Sequence, residues 1–114
     1  MRIKKIEIPI YYGYLVIVVS DNYQEVAKKY NLKENVDLYG AFVWVKKKEV
    51  GASEFLICID ENISNHLIAH EVVHLVNAIF LQTGCELDRQ NDEPQAYLTG
   101  WVFQQIEKFL TKNN

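Results

Sequence analysis

Polar and apolar positions change period several times along the chain, and each change marks an element. Residues 2–10 alternate, with Ile6, Ile8 and Ile10 set against Glu7 and Pro9. That pattern predicts a half-buried strand, and the proline places it at a sheet edge. Gly13 marks a turn, and the unbroken, largely β-branched run over 14–19 predicts a buried central strand paired with the first as a hairpin. Asp21 followed by Gln24 is a capping-box pattern, opening a short helix through Tyr30 with Tyr23, Val26, Ala27 and Tyr30 on one face. A polar connection over 31–37 leads to two further strands, 38–45 and 54–59, joined by a turn that holds Lys46, Lys47, Lys48 and Gly51. The cap-type residues Asp60, Asn62 and Ser64 open a helix over 63–83, which Gly84 stops. A last helix from about Pro94 to Lys112 carries Leu98, Trp101, Val102, Ile106, Phe109 and Leu110 at helical spacing, a core stripe. The expected order is ββαββαα: one α+β domain over 1–114, a four-stranded, mainly antiparallel sheet packed on a helix.

Composition narrows the function classes. The chain has 114 residues, enough for one modest core. With 49% hydrophobic and 24% charged residues it is ordinary globular material, and no run of about 18 apolar residues could cross a membrane. A net charge of -3 leaves no electrostatic footprint for nucleic acid, and the lysines 46–48 read as the solvated end of a hairpin. Arg2, Lys4 and Lys5 before an apolar stretch look faintly like an export signal, but Glu7 and Pro9 interrupt it and no small-residue cleavage site follows. The expectation is a cytoplasmic protein whose two cysteines, Cys58 and Cys85, are free thiols rather than a disulfide or a CxxC metal site.

The chemistry gathers in one segment. All three histidines, His66, His70 and His74, fall within nine positions, and the last two frame Glu71 in His70-Glu71-Val72-Val73-His74, an HExxH pentad. Four residues apart on a helix, two imidazoles share a face and can converge on one metal ion, zinc by preference. Glu71, offset by about 100°, stands beside that ion, free to take a proton from a metal-activated water. The apolar flanks Leu67, Ile68, Ala69, Val72, Val73, Leu75 and Val76 predict a largely buried helix, in which a bare glutamate beside two histidines would be costly without a compensating ion.

A catalytic zinc ordinarily keeps three protein ligands and an open position. His66 cannot be the third, because eight residues of a straight helix separate it from His74 by about 12 Å, more than twice a ligand–metal distance. It is left a capping or supporting role. Asn77 and Phe80 stand where HExxHxxGxxH would require glycine and histidine. Downstream, Asn91-Asp92-Glu93-Pro94-Gln95-Ala96-Tyr97 offers Glu93 or Asp92, either of which could also merely cap the last helix. Ala96 and Gly100 would give that helix a thin face for close approach to its neighbour.

HEVVH with a glutamate at the start of the next helix resembles the gluzincin branch of the zincin metallopeptidases. The spacing of Glu93 and Ala96 is similar to small peptidases of the ImmA/IrrE type, and Asp92-Glu93-Pro94 with Ala96-Tyr97 resembles small zincins encoded by phages and prophages. The motifs cover only the two C-terminal helices. The resemblance implies a sheet packed on an active-site helix, zinc held by His70, His74 and Glu93, and Glu71 as general base in peptide-bond hydrolysis. Tyr97 stands where many gluzincins carry an aspartate that orients a ligand histidine. It could orient that histidine, donate to an oxyanion, or simply pack with its hydroxyl at the rim. A peptide or protein substrate would add as a strand to a sheet edge, the candidate being 39–45, and Tyr11, Tyr12 and Tyr14 either line the cleft or are half-buried strand residues. The rival reading is a zinc-binding domain without catalysis, structural or partner-binding, for which Glu71 would have no use.

Overall fold

The computed structural model describes residues 1–32, 41–49 and 51–111. Among these the chain forms β1 (Arg2–Glu7), β2 (Tyr14–Val19), α1 (Tyr23–Tyr30), β3 (Ala41–Lys46), β4 (Glu54–Ile59), α2 (Asn65–Thr83) and α3 (Glu93–Thr111), the expected ββαββαα order. The strands form one sheet in the order β1-β2-β4-β3. Two antiparallel hairpins, β1 with β2 and β3 with β4, are joined by a parallel pairing of β2 with β4, so the sheet is mixed. Val19 at the end of β2 and Ala41 at the start of β3 both pair with Ile59, so β3 sets out from the end of the sheet where β2 stops, and β4, returning antiparallel to β3, runs parallel to β2. Of the predicted strand 38–45, positions 38–40 lie outside the described residues.

Strict alternation of side chains divides the strands between two cores. Leu15, Ile17 and Val19 of β2 and Phe55, Ile57 and Ile59 of β4 pack beneath α2 and α3. Val16, Val18, Leu56 and Cys58 point the other way and meet Val26 of α1 together with Phe42 of β3. The unbroken apolar runs in β2 and β4 are thus explained by cover on both faces. The α2–α3 side is the larger core, with Val72, Leu75, Val76, Ile79, Val102 and Ile106 fully enclosed.

Local chemistry moves some predicted boundaries. Asn22, not Asp21, caps α1, its side chain accepting from the Glu25 N–H at 3.3 Å. Ile10 lies beyond β1 and is 98% exposed with φ 69°, so the alternation that placed it with Ile6 and Ile8 ends at Pro9. Gly13 closes the hairpin, and its φ of 147° and tight seat against Phe55 admit no side chain. β1 is an edge strand, as Pro9 suggested, and β3 is the other. Arg2 ties β1 to the helical layer, its Nη1 donating to the Phe109 carbonyl at 3.1 Å and its Nη2 to both carboxylate oxygens of Glu61 at 2.8 and 2.9 Å.

Candidate metal centre

α2 begins after Ser64 and ends at Gly84, whose left-handed backbone (φ 74°) and N–H bond to the Phe80 carbonyl form the C-cap. Ile68, Val72, Leu75, Val76, Ile79 and Phe80 make its buried face. His70 and His74 lie about 160° from Val72 on the helix wheel, in opposite senses, so they stand on the crest of the helix and both are exposed. Their rings meet edge to face with centroids 4.9 Å apart, and the two Nε2 atoms are 3.2 Å from each other. Two nitrogens each about 2.05 Å from a tetrahedral zinc stand about 3.3 Å apart, so the pair is already spaced for one ion. As neutral imidazoles the same two atoms form a hydrogen bond, one donating and one accepting.

The surroundings differ from the expectation of a buried helix. Glu71 is half-buried, Val73 is 49% exposed and Leu81 76% exposed. The sheet covers the underside of α2 and α3 covers one flank, but in this three-layer arrangement nothing among the described residues covers the crest. Glu71 is therefore not a buried carboxylate in need of a compensating ion, and it is the 3.2 Å spacing of the two nitrogens that suits the pair to a metal.

Among the described residues, no three His, Cys, Asp or Glu side chains are gathered closely enough to hold a metal ion. The structure brings His70 and His74 together and leaves the other sequence candidates apart. His66, in the first turn, has its Nδ1 3.1 Å from the Ser64 hydroxyl. Glu93 is the first residue of α3, and the Asp92 carbonyl accepts the Ala96 N–H at 2.9 Å, making Asp92 the boundary residue. Pro94 and Tyr97 at the start of α3 share a cleft with Tyr11, whose ring packs 5.4 Å from that of Phe80 in the last turn of α2, so the start of α3 lies towards the C-terminal end of α2, beyond His74. Tyr97 is 76% exposed and lines a different, apolar cleft with Pro9, Ile10, Pro94 and Trp101.

Beside the histidines runs a groove between the helices, lined by Ala69, Val72 and Val73 of α2 and by Thr99, Gly100, Phe103, Gln104 and Glu107 of α3. Gly100 faces open space there, and an added Cβ would meet nothing within 4 Å, so the thin face expected from Ala96 and Gly100 is not used for close helix approach.

The shifted ionisations lie on the α1 side of the sheet. Burial pushes the Glu54 carboxyl up, but Lys5 and Lys48, each 3.4 Å away, outweigh it and hold the group below its ordinary value. Burial, with Glu54 and Cys58 nearby, raises the Tyr30 hydroxyl. The chain matches no protein-family model, no curated protein and no solved structure.

Proposed function

We propose that this chain is a zinc-dependent peptidase in which His70 and His74 hold the metal and Glu71 moves the proton. The observation that carries this reading is the 3.2 Å separation of two exposed Nε2 atoms, with a carboxylate interposed between the two residues in sequence. Zinc held there would supply Lewis acidity, polarising a peptide carbonyl and making water acidic enough to lose a proton near neutral pH. On the helix wheel Glu71 and Val73 fall on opposite sides of the pair. Val73 faces α3, so Glu71 takes the flank towards β3, the edge strand on which α2 also packs. An extended peptide pairing with β3 would run past Glu71. The carboxylate would accept a proton from the attacking water and return it to the departing amine nitrogen. Tyr97, in its own cleft, has no part in this reading.

The test is Glu71→Gln, assayed on an unstructured protein substrate alongside metal analysis. Zinc content and fold should be retained while hydrolysis falls by about 100-fold or more. Purified wild type without stoichiometric zinc, or a Glu71→Gln variant as active as wild type, would sink the proposal. Zinc binding with no hydrolysis by either protein of a broad peptide library would favour the non-catalytic zinc-binding domain.

A further inference from the structure

We propose that the α1 side of the sheet carries a binding site for a small aromatic carboxylate, separate from the histidine pair and independent of the zinc reading. Strand register builds its floor. Val16, Leu56 and Trp44 lie side by side across β2, β4 and β3, and two residues further along Glu54 is paired with Lys46. Side chains two apart on a strand share a face, so Glu54 and Lys46 stand on the face where Val16 and Leu56 pack towards α1. That helix ends at Tyr30, and a hollow of about 230 Å³ lies between Tyr30 and Asn31 on one side and these strand residues on the other. A cavity of about 150 Å³ holds benzene, so this one accepts a ring with a small substituent or a fused pair of rings.

The charges around the hollow are unevenly satisfied. Glu54 is neutralised by Lys5 and Lys48, each 3.4 Å away, and Lys5 also lies over the Tyr14 ring, 4.5 Å from its centroid. Lys46, although opposite Glu54 in the register, has no ion pair or hydrogen bond with any described residue. The Tyr30 hydroxyl and the Trp44 indole N–H likewise have no partner among the described residues, and burial keeps the Tyr30 hydroxyl protonated. What remains is one ammonium and two neutral donors beside an apolar floor and an indole ring. Their complement is a planar apolar body with a single anionic acceptor, its ring on Val16, Leu56 and Trp44 and its carboxylate towards Lys46. A cationic ligand would find Glu54 already occupied. Lys28 and Lys29 in the last turn of α1 add positive potential on this side of a chain whose net charge is -3.

The experiment is titration of the intact chain with indole-3-carboxylate, read from the indole N–H NMR signals of Trp44 and Trp101, which a Trp101→Phe variant assigns. The Trp44 signal should shift and saturate while that of Trp101 stays in place. Neutral indole-3-carboxamide should bind at least tenfold more weakly than the carboxylate. Lys46→Met should weaken the carboxylate about tenfold and leave the carboxamide within twofold. Thermal melts of Lys46→Met and wild type should superimpose, since Lys46 is exposed. Equal binding of carboxylate and carboxamide overturns the proposal, as does a Trp44 signal unmoved at millimolar ligand. A shift of Trp101 alone overturns it in favour of the apolar cleft on α3. If Lys47→Met weakens binding as much as Lys46→Met does, the attraction is a general one to the lysine-rich turn and the site is overturned.

Discussion

A methyl group at Gly13 would stand 2.8 Å from a Phe55 ring carbon and 3.0 Å from the Ser53 carbonyl oxygen, on a backbone whose φ of 147° L side chains rarely adopt. Phe55 is fully buried, so the ring has nowhere to retreat. Gly13→Ala is expected to cost about 2–4 kcal/mol, read as a lower urea midpoint with unchanged slope. Gly13 was legible in sequence as a turn, but its close approach to Phe55 was not, because the partner lies on the other hairpin. His70, Glu71 and His74 were legible for the opposite reason: an i, i+4 pair is local, and any regular helix delivers it. Their exposure was not legible. The apolar letters around them do not say which flank a neighbour covers, and Val73 and Leu81 turned out to face solvent.

Element boundaries followed from caps and periodicity. Gly84 ends α2, α3 starts within a residue of Pro94, and β2 and β4 match their predicted spans. The misplaced features came from choosing between adjacent polar residues, as with Asp21 and Asn22, or from extending a period past its end, as with Ile10. The relation between α2 and α3 lay further out of reach, since the spacing of Glu93 from His74 is local while the cleft that Pro94 and Tyr97 share with Tyr11 draws the start of α3 towards Phe80. Gly100 carries a prediction at this scale. It sits in the interior of α3, exposed, with room for a side chain and a negative φ, so Gly100→Ala should stabilise the protein by about 0.5–1 kcal/mol in denaturant melts. A loss of stability would mean that the helices approach more closely at this point than the open groove indicates.

On the scale of the whole molecule, the sheet is a middle layer, and its buried groups report on the fold as a unit. Cys58 is fully enclosed beneath α1, where burial pushes its thiol up to about 12 from an ordinary value of 9.0. A raised value means that the folded state keeps a proton that the unfolded chain releases. The stabilisation is complete below about pH 8.5, falls as pH rises, and stops falling near 12. Melting temperature should accordingly drop more steeply between pH 8 and 10 in wild type than in Cys58→Ala. A thiol reagent should modify half-buried Cys85 well before Cys58. The sequence by itself determined the order of elements, the two hairpins, the helix ends and the paired imidazoles, all set by interactions between residues a few positions apart. Tertiary structure alone decided that α1 and the helical hairpin take opposite faces of a mixed sheet and that the histidine crest is open. Those outcomes depend on which surfaces bury one another across the whole chain, and no local pattern of letters encodes them.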